Sequence, residues 1–177
     1  MKVFSHKASV GFFPTVEDAK SYNADNPDAD LFSSLDQIEK YRKDGVFHVR
    51  ICYEELYEFD FPCNEWTQSS NFVKEVNITD YEEIDITFDE SGNGGNFAGL
   101  GLSPSSHSET LIDADPHGAS SFFCIGCIKG WGAYMPGPSA KAVQKVELYL
   151  ALSMNRLILK GTKKSIFLQI ARLQKRC

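Results

Sequence analysis

The chain has 177 residues, 42% of them hydrophobic and 12% aromatic, which suits one domain with a real core, with or without an extension. Its net charge of −6 hides a split: positions 1–140 carry 9 Lys or Arg against 23 Asp or Glu, while positions 141–177 carry 9 against Glu147 alone. The acidic body speaks against nucleic acid as the main partner, since phosphate binding needs a positive surface, and no stretch approaches the ~18 continuous apolar residues of a membrane span.

Positions 1–30 read as an irregular lead-in. "MKVFSHKASVGFF" lacks the apolar run of roughly 7–15 residues that a signal peptide needs, because His6 and Lys7 interrupt it. "SVGFF" allows a short strand. "TVEDAKSY" fits a helical turn with Thr15 as N-cap and Asp18 at N3, and "NADNPDAD" reads as loop. "LFSSLDQIEKYRKDG" predicts a helix of about ten residues. Ser33 or Ser34 would cap it, Leu35, Ile38 and Tyr41 or Arg42 follow at helical spacing, and Gly45 would end it at C′.

"VFHVRICYEEL" alternates as a half-buried strand does. Phe47, Val49, Ile51 and Tyr53 share one face, and His48, Arg50, Cys52 and Glu54 the other. "NFVKEVNITDY" reads as a further strand. In "EIDITF", Ile84, Ile86 and Phe88 share a side. "SGNGG" is a loop. "FAGLGL", "ETLID", "SFFCIGCI" and "AVQKVELYLAL" supply four more strands, and "YMPGPS" is a turn whose prolines cannot sit in a central ladder. The fold class is therefore mainly β: an antiparallel, β-sandwich-like domain over 31–150, with a short N-terminal helix and a peripheral basic tail over 151–177.

The cysteines leave alternatives open. Cys52 and Cys63 flank a stretch that a disulfide can close, and we expect that bridge if the chain is extracellular, with Cα atoms within about 7 Å. Cys124 and Cys127 form "CIGC": a redox pair, half a zinc site, a strained bridge or two buried thiols. The strand reading places them on opposite faces at period 2. Cys177 is the odd one, a thiol or a link to another chain.

No complete catalytic motif is written here. His6, His48, His107 and His117 lack metalloprotease spacing, and a triad of Ser103, His117 and Asp113 has no G-x-S-x-G elbow. Trp66, with Asn64 and Gln68 beside it, and Trp131 stand in polar, turn-rich contexts. Exposed, they would form a carbohydrate- or protein-binding surface; the plainer reading packs them across the sandwich. Asp89, Glu90, Asp113 and Asp115 enter Gly- and Asn-rich loops of the kind calcium uses, although turn carboxylates capping their own backbone serve as well. Asn77-Ile78-Thr79 is an N-glycosylation sequon.

From about Leu31 to Leu150 the chain resembles an uncharacterised extracellular module of invertebrate, cnidarian-like secreted or matrix proteins. The matching segments are "FHVRICYEEL", "PCNEWTQSSN", "GLGLS" with "TLIDADP", "SFFCIGC", and "MPGP" leading to "KVELYL". The chain departs from that pattern at the two cysteines of "SFFCIGC" and in the basic tail. The resemblance implies a non-enzymatic recognition or scaffold role in an extracellular setting, with a protein or glycan partner. The competing expectation is a glycan-acting hydrolase using carboxylates near Glu90 and Asp113.

Overall fold

The computed structural model describes residues 1–55, 61–89, 96–103, 110–114, 123–128, 137–138 and 143–151. Ten strands form two antiparallel sheets: β1 (Lys2–Lys7), β2 (Ser21–Tyr22), β3 (Leu31–Ser34), β4 (Phe47–Glu55), β5 (Cys63–Gln68), β6 (Glu82–Ile86), β7 (Gly101–Leu102), β8 (Thr110–Asp113), β9 (Ile125–Cys127) and β10 (Val143–Ala151). The larger sheet has the order β2-β3-β1-β10-β4-β5-β6 and the smaller β7-β8-β9. The fold is mainly β and sandwich-like, as the sequence predicts. No helix among the described residues is long and apolar enough to cross a membrane.

The alternation read in β4 is observed. Phe47, Val49, Ile51 and Tyr53 are buried, as are Val146, Leu148 and Leu150 of β10 beside them. Leu111, Ile112, Phe123 and Ile125 from the smaller sheet and its approach belong to the same apolar cluster. Aromatic edges knit the layers: Trp66 meets Phe97 at 4.8 Å between ring centroids, and Phe97 meets Phe123 at 5.0 Å.

The N-terminal region departs from the expected irregular lead-in. Lys2–Lys7 is an interior strand, paired with β3 on one side and β10 on the other. Its aromatic Phe4 and His6 face the core while Ser5 and Lys7 take the other side, a pattern too short to stand out in sequence. "SVGFF" is not a strand but a 3₁₀ turn at Ala8–Val10 followed by irregular backbone, with Gly11 at φ 87°. The helical turn α1 (Val16–Lys20) forms as read: the Thr15 hydroxyl accepts from the Asp18 amide at 3.1 Å.

The expected ten-residue helix is instead strand β3 followed by a 3₁₀ turn at Leu35–Tyr41. Leu35, Ile38 and Tyr41 are spaced by threes, which stacks them directly above one another in a turn of three residues, whereas an α-helix would fan them across its face. Gly45 does not end a helix. Asp44 (φ 51°) and Gly45 (φ 87°) are the two central residues of a hairpin closed by reciprocal Lys43–Val46 backbone bonds, for which an Asp-Gly pair is suited. Residues 71–81 are turns, not the expected strand. Asn71 Oδ1 accepts from the Val73 amide while Glu75 Oε1 accepts from the Asn71 amide, so side chains replace a ladder here. β6 is the edge strand at its end of the sheet, and Ile84 is exposed there, whereas Ile86 and Phe88 are half-buried.

A charged clasp joins these turns. Arg42 bonds both Glu39 oxygens, at 2.8 and 3.0 Å, reaches the Gly45 and Ser69 carbonyls, and stacks over the Phe47 ring at 4.1 Å. The Arg42 hydrogen bonds hold the Glu39 carboxyl at about 2 from an ordinary 4.5, against the opposing push of partial burial and with help from the Asn71 amide. The folded state therefore has the lower value, so the clasp's contribution is full above about pH 4.5 and is lost as pH falls toward about 2. Glu39 is 47% exposed, and solvent screening keeps the effect small. Thermal melts of the Glu39→Gln variant should lie slightly below the parent at neutral pH, and the gap should close as pH drops through that window. A gap that is constant with pH would show that the ionised pair does not contribute.

Candidate functional site

Strand β5 carries Asn64, Trp66 and Gln68 at period 2, so all three point to one side. That side is the core. Each is 0% exposed, so Trp66 follows the plainer, packed reading and not the open-platform alternative. The polar groups are satisfied internally. Trp66 Nε1 donates to Gln68 Oε1 at 2.7 Å, and the Leu100 amide donates to the same oxygen at 3.0 Å. Gln68 Nε2 donates to the Leu100 carbonyl at 2.9 Å and to the carbonyl and hydroxyl of Ser70 at 3.1 and 3.0 Å. Asn64 accepts from the Thr87 and Phe88 amides at 3.0 and 2.8 Å and donates to the Phe88 carbonyl at 2.8 Å, prolonging β6 as a strand would. Trp131 lies outside the described residues.

The acidic loop residues divide in the same way. Asp89 is exposed, and its carbonyl accepts from the Phe97 amide at 2.8 Å, closing the neck of the "SGNGG" loop. Asp113 is 4% exposed at the end of β8. Glu90 and Asp115, the other members of the expected calcium set, lie outside the described residues, as do His107, His117 and Cys177. Among the described residues no three His, Cys, Asp or Glu side chains gather as metal ligands. His6 is buried among Phe4, Phe12 and Phe13, and Nε2 meets the Gly11 carbonyl oxygen at 2.6 Å. Burial lowers its pKa, opposed by that bond.

Asn77 is exposed in a turn between β5 and β6, not on a strand end, and the Thr79 backbone is tied to Ser69 at 3.0 Å. The sequon asparagine is thus open to solvent on a braced loop.

The Cys52–Cys63 disulfide is present, with Cα atoms 4.0 Å apart. The two cysteines are direct register partners on β4 and β5, and Cys52 also faces Glu147 on β10. Around the bridge the outward face of the large sheet is charged. Exposed Arg50 stands opposite half-buried Glu65 and Tyr149, and Glu54 stands opposite Lys145. Glu147 is the hub: Lys145 and Lys2 reach Oε1 at 2.8 and 3.1 Å, and the Tyr149 hydroxyl donates to Oε2 at 2.5 Å. Burial pushes the Glu147 carboxyl up, but bonds from Lys145, Tyr149 and Lys2 outweigh it and hold it below the ordinary range. Burial and the same carboxylate raise the Tyr149 hydroxyl to about 12. The sequence reading passed over this cluster. Its signal was the alternation of Lys145, Glu147 and Tyr149 against Val146, Leu148 and Leu150 in "KVELYL".

Compared with family models, curated proteins and solved structures, the chain finds no match.

Two stabilities follow from this geometry. The Gln68→Met variant removes one acceptor and one donor group and leaves the Trp66 and Leu100 groups unpaired inside the core. We expect a loss of about 2–4 kcal/mol in denaturant unfolding; a loss under ~1 kcal/mol would mean the network is readily replaced. The Cys52→Ser/Cys63→Ser double variant should lose about 3 kcal/mol from the chain entropy of a loop with a separation of 11. Unchanged denaturation midpoints for that double variant would show that the sheet pairing alone constrains these strands.

Proposed function

We propose that this chain is a non-enzymatic recognition or scaffold module of an extracellular protein, and that it meets a protein or glycan partner through the charged outward face of the large sheet. The observation that carries this reading is the Cys52–Cys63 bridge within that face. Disulfides persist in oxidising surroundings such as the secretory route and the cell exterior. The bridge also fixes two adjacent strands under the side chains that would make contact.

The surface chemistry supports the same reading. Lys2, Lys145 and Tyr149 are held in place by one carboxylate, so their ordering cost is met before any partner arrives. Arg50 offers a planar donor fork at the exposed centre of the strand. The exposed sequon at Asn77 suits a glycoprotein, and the resemblance of residues 31–150 to an invertebrate matrix module favours a scaffold role.

The test is a binding screen of the folded protein on an array of neutral and sulfated glycans and immobilised matrix proteins. We expect saturable binding to at least one of them, weakened tenfold or more in an Arg50→Ala/Tyr149→Ala variant that melts as a cooperative unit. Binding to neither class, or release of product from labelled oligosaccharides, would overturn the proposal. The second result would return attention to the loop carboxylates.

A further inference from the structure

Cys124 and Cys127 do not lie on opposite faces as the strand reading expects. Their sulfurs are 3.4 Å apart in one buried pocket. The cause is backbone. Gly126, between the two cysteines, takes a left-handed conformation (φ 70°), so the period of two breaks there. Gly126 is also held there by crowding: a Cβ at that position would lie 2.9 Å from Leu111 Cβ and 3.2 Å from Ala19 Cβ. A glycine is needed for the turn and for the close approach of α1 and β8.

We infer that Cys124 and Cys127 are the site of a second disulfide, formed while the chain folds in an oxidising compartment. The sulfurs need to approach by little more than an ångström to reach a bond of about 2.0 Å. The Gly137 amide donates to Cys124 Sγ at 3.4 Å and helps to fix that sulfur. The pocket favours the bonded form. Both side chains are fully buried, with Phe123 and Tyr53 nearby, and a disulfide is less polar than the two thiols it replaces. The same chain already carries one bridge, so it has a form in which thiols are oxidised. The two cysteines belong to the core side and take no part in the proposed partner surface, which lies on the other face of the large sheet.

The step is thiol–disulfide exchange with a low-molecular-weight disulfide such as oxidised glutathione. One cysteine thiolate attacks the reagent and releases the first small thiol. The second thiolate attacks the mixed disulfide and releases the other. One Cys124–Cys127 S–S bond forms, two S–H bonds are lost, and the reagent leaves as two thiols carrying both electrons and both protons. Burial raises the Cys127 thiol well above its ordinary pKa, together with its hydrogen bond to Cys124. The exchange therefore runs before the pocket closes, and the folded dithiol is slow to react.

The full chain, reduced and denatured, is refolded in glutathione buffers of increasing oxidising strength until Cys52–Cys63 is bridged. It is then denatured, alkylated and cut with trypsin. The peptide spanning 75–129 contains both cysteines and no other, with no Lys or Arg before Lys129. After removal of any glycan, it should be two hydrogens lighter than its reduced form and carry no alkyl label. The Cys52→Ser/Cys63→Ser variant, refolded in the same buffer, should give the same peptide. Two labels on that peptide in molecules whose Cys52–Cys63 bridge is complete would overturn the assignment. So would a bond from either cysteine to Cys52, Cys63 or Cys177.

Discussion

The pairing of β10 with β1 on one side and β4 on the other holds this fold together. In the order β2-β3-β1-β10-β4-β5-β6, the last described strand is the seam between two groups of three. Each group is made of strands fairly near in sequence. Neither can join the other until β10 arrives, and the ion pair across the seam, Lys2 with Glu147, links residues 145 positions apart. Loop-closure entropy rises only slowly with length, so such a seam is affordable at equilibrium. It is slow to reach, because non-local contacts must be found before they stabilise anything.

That constraint explains the composition of β10. Its inward residues, Val146, Leu148 and Leu150, are all buried and apolar, as a central strand over a core requires. Its outward residues cannot be indifferent either, since the middle row of that face is shielded. Ser5 and Cys52 flank Glu147 on the neighbouring strands, and all three are buried. A carboxylate in that position would be costly alone. Two lysines and a tyrosine satisfy it, so the seam is charged on one face and oily on the other. The disulfide continues the same row onto β5.

Where local pattern and tertiary demand agree, the sequence was legible. The alternation of β4, the Thr15 cap and the Cys52–Cys63 bridge all rest on near-neighbour geometry. Most of the misreadings arise where one or two residues change the local rule. Gly126 turns two cysteines from opposite faces into one pocket. Asp44 and Gly45 make a hairpin where a glycine after a helix was expected. Asn71 and Glu75 replace a ladder with side-chain bonds. The strand β1 was missed for another reason: six residues with two inward aromatics are no stronger a signal than chance, and only the distant β10 makes them a strand.

The candidate site was half legible for a related reason. Asn64, Trp66 and Gln68 stood out together as a polar, turn-rich stretch and not as strand β5, and the strand's period of two cannot by itself say which side of a sheet is covered. Polar residues beside a Trp suggested solvent. In the fold they serve a core that must pair every buried donor: the indole N–H needs an acceptor, and Gln68 supplies it while also tying in Leu100 and Ser70. The outward face offers the complementary case. Arg50, Lys145 and Tyr149 lie in strands that also carry core residues, and the two cations among them were averaged into the net count of the chain. A polar residue in a β-rich chain is therefore informative about function only after its strand's covered face is known. Here that knowledge moves the proposed recognition surface from the tryptophan on β5 to the charged seam between β4 and β10.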